Sequence, residues 1–254
     1  MNTKKLETYS PLILLVILLA LWQAICSGFN IAEYIFPSPF MIANALVEFT
    51  NPIAVAAWQT FWVTMVGFGL SIVVGVLLGF LVGSARIAYS AVFPLLVAFN
   101  AVPKAAIVPI LVVWFGIGIG PGILTAFLIS FFPITVNIAT GLATLEPELE
   151  DVLRVLGAKR WDVLVKVGLP RSLPYFYGSL KIAITLAFVG TVLAEMTAGD
   201  SGIGYLMQSA GSQQRLALAF AGLVVIGAMA MAMYEFFSCV ERHTTAWAHR
   251  SSQS

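Results

Sequence analysis

Few side chains in this 254-residue chain could do chemistry, and their spacing narrows the options. The two histidines, His243 and His249, stand in a polar C-terminal tail and read as solvated groups. The two cysteines, Cys26 and Cys239, are far apart, with no Cys-x-x-Cys and no clustered histidine to support metal or redox chemistry. A phosphate-binding loop needs Gly-x4-Gly-Lys-Ser/Thr, whose amides and lysine hold the phosphates. The chain contains no Gly-Lys dipeptide, so ATP hydrolysis by that route is excluded. What remains is a set of polar side chains within apolar stretches: Asn100, Lys104, Thr125, Ser130, Asn137, Thr191 and Glu195. Ionisable groups inside a membrane are functional candidates by default. Lys104, beside Pro103, could face an anionic solute; snorkelling to an interface or pairing with a carboxylate are the competing readings. Glu195 could line a path or cap a helix end, and Asn137 reads as a bridge between helices.

The elements that must position these groups follow from composition. Hydrophobic residues make up 60% of the chain and charged residues only 10%, against about 25% charged in soluble domains. Such a surface cannot be coated for water, which excludes a cytosolic enzyme, a nucleic-acid binder and a disordered tail. Thirteen Lys and Arg against twelve Asp and Glu also give no bulk attraction to polyanions. A membrane-crossing helix needs roughly 20 mostly apolar residues. Five stretches qualify: Pro11 to Ser27, Trp58 to Gly83, Gly122 to Leu145, Tyr175 to Ala194 and Leu216 to Tyr234. A sixth, Ala91 to Phe115, holds Pro94, Pro103 and Pro109 as well as Lys104. Ala105 to Phe115 alone would make only about 16 Å of helix, so this span must run through the prolines as a broken helix. The sequence thus predicts an all-α polytopic membrane protein of six transmembrane helices.

Charge placement orients it. Lys4, Lys5, Arg86, Arg154, Lys159, Arg160, Lys166, Arg171, Arg242 and Arg250 fall on one set of connections, and only Arg215 on the other. Basic residues in short loops mark the cytoplasmic side, which predicts both termini inside. A bilayer then separates Cys26 from Cys239 and forbids a disulfide between them. The first span has a basic start like a secretory signal, but no Ala-x-Ala site follows, so a retained helix is expected. Ser71, Gly75, Gly79 and Gly83 recur every four residues along the second span. Small residues at that spacing let helices approach closely in lipid; a pore-lining role is the alternative.

The long connection at about 145–178 is the most informative. Glu146-Pro147-Glu148 reads as a helix start, and Leu149, Val152, Leu153 and Leu156 form an amphipathic stripe. Gly157 supplies a left-handed break. A second short helix is predicted from about Lys159, with Trp161, Leu164 and Val165 on one face and Leu169-Pro170 as its stop. Such a helix–Gly–helix could dock a soluble partner or lie on lipid, helped by Arg160, Trp161 and Lys166.

This segment resembles the signature loop of binding-protein-dependent ABC importer permeases, Glu-Ala-Ala-x3-Gly-x9-Ile-x-Leu-Pro. Asp151-Val152-Leu153 stand at Glu-Ala-Ala, Gly157 at Gly, Val167 at Ile, and Leu169-Pro170 at Leu-Pro. Only the acidic character of the opening triplet is kept. Phe36-Pro37-Ser38-Pro39, Val102-Pro103-Lys104, Pro109 to Gly116, Phe131-Phe132-Pro133-Ile134, Ala194-Glu195-Met196 and Gly202-Ile203-Gly204-Tyr205 resemble the nitrate/sulfonate/taurine branch. The resemblance runs from about Phe36 to Phe237. It implies one permease domain over residues 1–254, with a core at about 52–240 and a cytoplasmic coupling loop at about 145–178. It further implies an inner-membrane importer of a small anion, paired with a second permease copy, two cytoplasmic ATPase subunits and an extracytoplasmic binding protein. ATP and Mg would be bound by the ATPase, and this chain would hold no cofactor and catalyse nothing itself. ATPase contacts are expected at Asp151, Arg154, Gly157, Ala158, Val167, Leu169 and Pro170. The pathway is expected at Asn100, Lys104, Ser130, Asn137 and Glu195. A secondary transporter often shows matching broken helices in two halves, and here only one span is broken. A membrane-complex scaffold without an ATPase partner is the other rival.

Overall fold

The computed structural model describes residues 3–143, 152–153 and 155–244. Among these residues there are helices and no strands. Among the described residues five helices are long and apolar enough to cross a membrane, or six if a bent pair counts as one span. In chain order they begin with α1 (Thr3–Gly28), a short α2 (Pro39–Glu48), α3 (Thr50–Gly83), α4 (Arg86–Ala101) and α5 (Val108–Phe115). There follow α6 (Ile119–Ala143), α7 (Arg160–Val163), α8 (Leu169–Ala198), α9 (Gly202–Ser212) and α10 (Leu216–Thr244).

The core is the triad α3, α6 and α8, filled by Phe68, Ile134, Ile138, Leu142, Ile184 and Phe188. The stripe Ser71, Gly75, Gly79, Gly83 faces α6, and Gly67 extends it by one turn. A Cβ on Gly79 would sit 2.8 Å from both the Ile138 Cβ and the Thr135 carbonyl. The stripe is therefore a packing seam rather than a pore lining. Ser71 and Ser130 hydroxyls meet across it at 2.6 Å, a hydrogen bond between helices where lipid offers none. Replacing Gly79 by Leu should force α3 and α6 apart, costing at least about 1–3 kcal/mol. Gly69, whose Cβ would meet nothing within 4 Å, is the control. Thermal unfolding of the detergent-purified protein should fall for Gly79→Leu and hold for Gly69→Leu.

The broken span has a clear local cause. The residue before a proline is pushed to extended backbone, and Val102, before Pro103, has φ −65° and ψ 126°. Helix α4 stops there, a 3-10 turn spans Lys104–Ile107, and the chain resumes as α5 after a 73° bend. Helix α1 is exposed to its surroundings from Tyr9 to Leu21 and packs on the bundle near its C-terminal end. There Trp22 packs on Phe36 and Phe220 at centroid distances of 5.2 and 6.3 Å, and Cys26 is buried as a free thiol.

Leu169-Pro170 does not stop a helix, contrary to the sequence expectation. Pro170 sits in the first turn of α8, where a missing N–H costs nothing. A π turn, Leu164–Gly168, joins α7 to α8 without a break. The expected apolar face of the second short helix also shifts: Val163 is buried, while Trp161 and Val165 are exposed. A π turn advances the register by one residue, which period-3.6 counting cannot anticipate.

Candidate coupling turn and polar sites

The turn at Gly157 closes as the sequence predicts. Gly157 adopts φ +88°, and the Ala158 N–H donates to the Leu153 carbonyl at 3.0 Å. That six-residue closure around a left-handed glycine is a Schellman ending. Asp151 and Arg154 lie outside the described residues. The turn leaves apolar surface in the open: Val155 is 88% exposed and Leu156 77%. Trp161 stands beside it, its ring 5.8 Å edge-on from Phe80 of α3. Ala158 and Val167 are half-buried, and Leu169 is exposed at the start of α8. Asp162 pairs with Lys166 at 3.0 Å. The lysine hydrogen bond and charge hold the Asp162 carboxyl below its usual range, though an exposed i,i+4 pair stabilises little. Helix α7 is thus part of an exposed apolar and charged surface that continues through the π turn into a spanning helix.

Lys104 occupies the break between α4 and α5. Its ammonium donates to the Asn100 carbonyl at 2.7 Å and to Asn100 Oδ1 at 2.8 Å. A lysine there satisfies a carbonyl orphaned by the end of α4 and complements the negative end of its dipole. An ammonium has three donors, and these two bonds leave a third. Asn100 is exposed and Lys104 half-buried at the surface of this chain.

The remaining expected pathway residues lie elsewhere. Ser130 is fully buried between α3 and α6, and its hydroxyl also reaches the Ala126 carbonyl at 2.7 Å. Asn137 donates to the Pro133 carbonyl of its own helix at 2.8 Å, so it does not bridge helices through that bond. Glu195 is 8% exposed near the C-terminal end of α8. Its two oxygens each lie 2.9 Å from the Thr60 hydroxyl, which donates to the carboxylate, and Oε2 accepts the Gly204 N–H at 2.9 Å. Thr60 in turn accepts the Ile203 N–H at 2.8 Å, and Gln59 Oε1 accepts the Gly202 N–H at 3.1 Å. One turn inward the Thr64 hydroxyl lies 2.9 Å from that of Thr191. A side chain on Gly202 would overlap the Glu195 carboxylate, which gives the glycines around Ile203 their reason.

Sequence reasoning missed Thr60 and Glu241. Thr60 and Thr64, two hydroxyls one turn apart in an apolar run, were a readable sign of a polar face. Glu241 pairs with Lys181 at 2.6 Å, joining α8 to α10. Nothing in a sequence announces a partner 60 residues away.

Apolar helices of spanning length, packed so that most buried polar groups are met inside the bundle, define a polytopic helical membrane protein. The chain belongs to the family of binding-protein-dependent transport system inner membrane components, which matches residues 71–243. It is an ABC importer permease. A probable ABC transporter permease from Haemophilus influenzae is 34% identical over 91% of this chain and 94% of its own. A formylaminopyrimidine transport permease from Halalkalibacterium halodurans is 31% identical, covering 78% of this chain and 80% of its own. A nitrate import permease from Leptolyngbya laminosa is 30% identical over 87% and 83%. In fold, the chain is similar to an inward facing structure of the MetNI methionine ABC transporter, with TM-score 0.67 and 18% identity. That match covers 78% of this chain and 98% of the other.

Proposed function

We propose that this chain forms the translocation pathway for a small anion, of the kind of sulfonate, taurine or nitrate, delivered by an extracytoplasmic binding protein. It works with a second copy of itself and two cytoplasmic ATPase subunits. These bind ATP and Mg; the permease holds no cofactor, catalyses no reaction and makes one domain of residues 1–254. Both termini face the cytoplasm, as the ten basic residues on that side favour. The carrying observation is the turn at Gly157, with Val155 and Leu156 exposed before it and Trp161 exposed after it, where the helical run into α8 starts. A motor seated there, in contact with Asp151, Arg154, Ala158, Val167, Leu169 and Pro170, would move a spanning helix as a rigid body. Co-purification of the ATPase subunits with this chain is the test, and their absence would refute the reading.

Among the pathway residues, Asn100 and Lys104 support an anionic solute best, because they lie at the chain's surface with an ammonium donor to spare. Ser130, Asn137 and Glu195 spend polar atoms within the bundle. Lys104→Gln should lower anion uptake about 10-fold, the worth of one charge-assisted hydrogen bond. Uptake should be measured over a panel of sulfonates, nitrate, bicarbonate and pyrimidine precursors. An unchanged anion rate would remove Lys104 from the pathway, and a neutral pyrimidine as the sole solute would replace the anion reading.

A further inference from the structure

The outer end of α8 carries a buried carboxylate that neither the turn nor the ammonium site uses. Glu195 and Thr60 tie three elements at one point: α8 through the carboxylate, α3 through the hydroxyl, and α9 through the N–H groups of Ile203 and Gly204. Through the π turn and α7, the same α8 is continued back to the residues that follow the Gly157 turn. From Trp161 to Ala198 the chain is helical over 38 residues, with no loop to absorb movement. Toward its far end, beyond the midpoint and close to Glu195, Gly190 crosses α6 so closely that a Cβ would lie 2.9 Å from the Ala126 Cα. A rod held tightly there and displaced at its long arm passes a smaller displacement to the short arm that carries Glu195. At that other end α9 packs on α10, with Gly222 against Ile203 and Met207. It also walls an outer-face cavity of about 580 Å³, lined by Asn51, Gln59, Asp200, Tyr205, Ser209 and Gln213.

We propose that Glu195 and Thr60 are positioning residues for transport: they latch α9 to the outer end of α8, so movement of the cytoplasmic turn reshapes the outer cavity. The inference rests on the importer reading above, and it assigns the cavity as the surface that responds to the motor. The hydrogen bonds explain why a carboxylate stands where an apolar residue would pack. Oε2 accepts both the α3 hydroxyl and the α9 amide, and Oε1 lies equally close to the hydroxyl.

The test uses the assembled importer, this chain with its ATPase and binding-protein partners, in proteoliposomes. Thr60→Val and Glu195→Ala should lower uptake and binding-protein-stimulated ATP hydrolysis about 10-fold, the consequence of unmet buried donors. Unstimulated hydrolysis should stay unchanged, and Thr60→Ser, which keeps the hydroxyl, should restore uptake. Independently, Ser209→Cys in the otherwise unaltered chain reports the cavity through its labelling by a membrane-impermeant maleimide. Its rate should change about fivefold when nucleotide is trapped in the ATPase, and Thr60→Val should abolish the difference. Equal labelling with and without trapped nucleotide would overturn the latch, even if Thr60→Val failed to assemble. Full uptake by Glu195→Ala would do the same. If the ATPase subunits do not co-purify with the unaltered chain, the importer reading itself fails, a separate result.

Discussion

Gly157→Val is expected to reduce uptake to about a tenth or less while the membrane bundle stays folded. The reasoning is conformational. At φ +88° a β-branched residue is a genuine outlier, and holding one in a sparsely populated region costs about 1–3 kcal/mol. Space is no obstacle, because a Cβ at Gly157 meets nothing within 4 Å. The turn can therefore relieve the strain only by changing shape. Doing so gives up the Ala158 N–H bond to the Leu153 carbonyl and changes how the exposed Val155 and Leu156 are presented. The apolar surface offered to the motor would lose its form, although nothing in the α3–α6–α8 core is touched. Asn tolerates the left-handed region through its own side-chain hydrogen bonding, so Gly157→Asn should keep most of the uptake. Uptake with wild-type amounts of Gly157→Val in the membrane is the measurement, together with ATPase co-purification. If the valine variant transports normally, the turn is not the mechanical contact.

The contrast between what the residues foretold and what only coordinates supply has a physical origin. Spans are legible because apolar length is a one-dimensional property, and even the break at Val102-Pro103 follows from a steric rule about neighbours in sequence. Gly157 was readable for the same reason, since a helix ending is local. The glycine stripe on α3 was readable as a face, yet its partner on α6 was not, because complementarity at Ile134 and Ile138 belongs to tertiary packing. The second short helix failed differently. Leu169-Pro170 has two local meanings, stop and first turn, and the π turn before it selects the second. Glu195 stood out as an acid in an apolar run. Its surroundings were hidden, since Thr60 lies 135 residues away and the α9 amides become donors only once that helix starts. Branch resemblance had joined Glu195 to Gly202-Ile203-Gly204, and the geometry supplies the cause: the glycines clear room for the carboxylate.

Lys181→Ala should destabilise the folded bundle by about 3 kcal/mol, the lower end for breaking a buried pair. The Lys181 ammonium lies 2.6 Å from Glu241 Oε2, with side chains only 19% and 15% exposed. Its charge also sits 5.9 Å above the Tyr234 ring of the same partner helix. Removing the lysine takes a cation away from a carboxylate already withdrawn from water, so the cost is mainly the desolvation that the pair had offset. The pair also joins α8 to α10, which otherwise meet through Met229, Met233 and Phe237 on the core. Loss of the clamp should therefore loosen α10 before it loosens α3 and α6. Replacing both partners by Met removes the two charges together, and a buried pair exchanged for apolar side chains is often neutral. A double-mutant cycle of Lys181→Ala, Glu241→Ala and their combination isolates the pair term: each single change lowers the unfolding temperature in detergent, the combination lowers it by less than their sum, and the double Met variant stays close to the unaltered protein. If Lys181→Ala unfolds at the same temperature as the parent, the ion pair contributes nothing to the bundle. Hydrophobic contacts would then carry the whole α8–α10 interface.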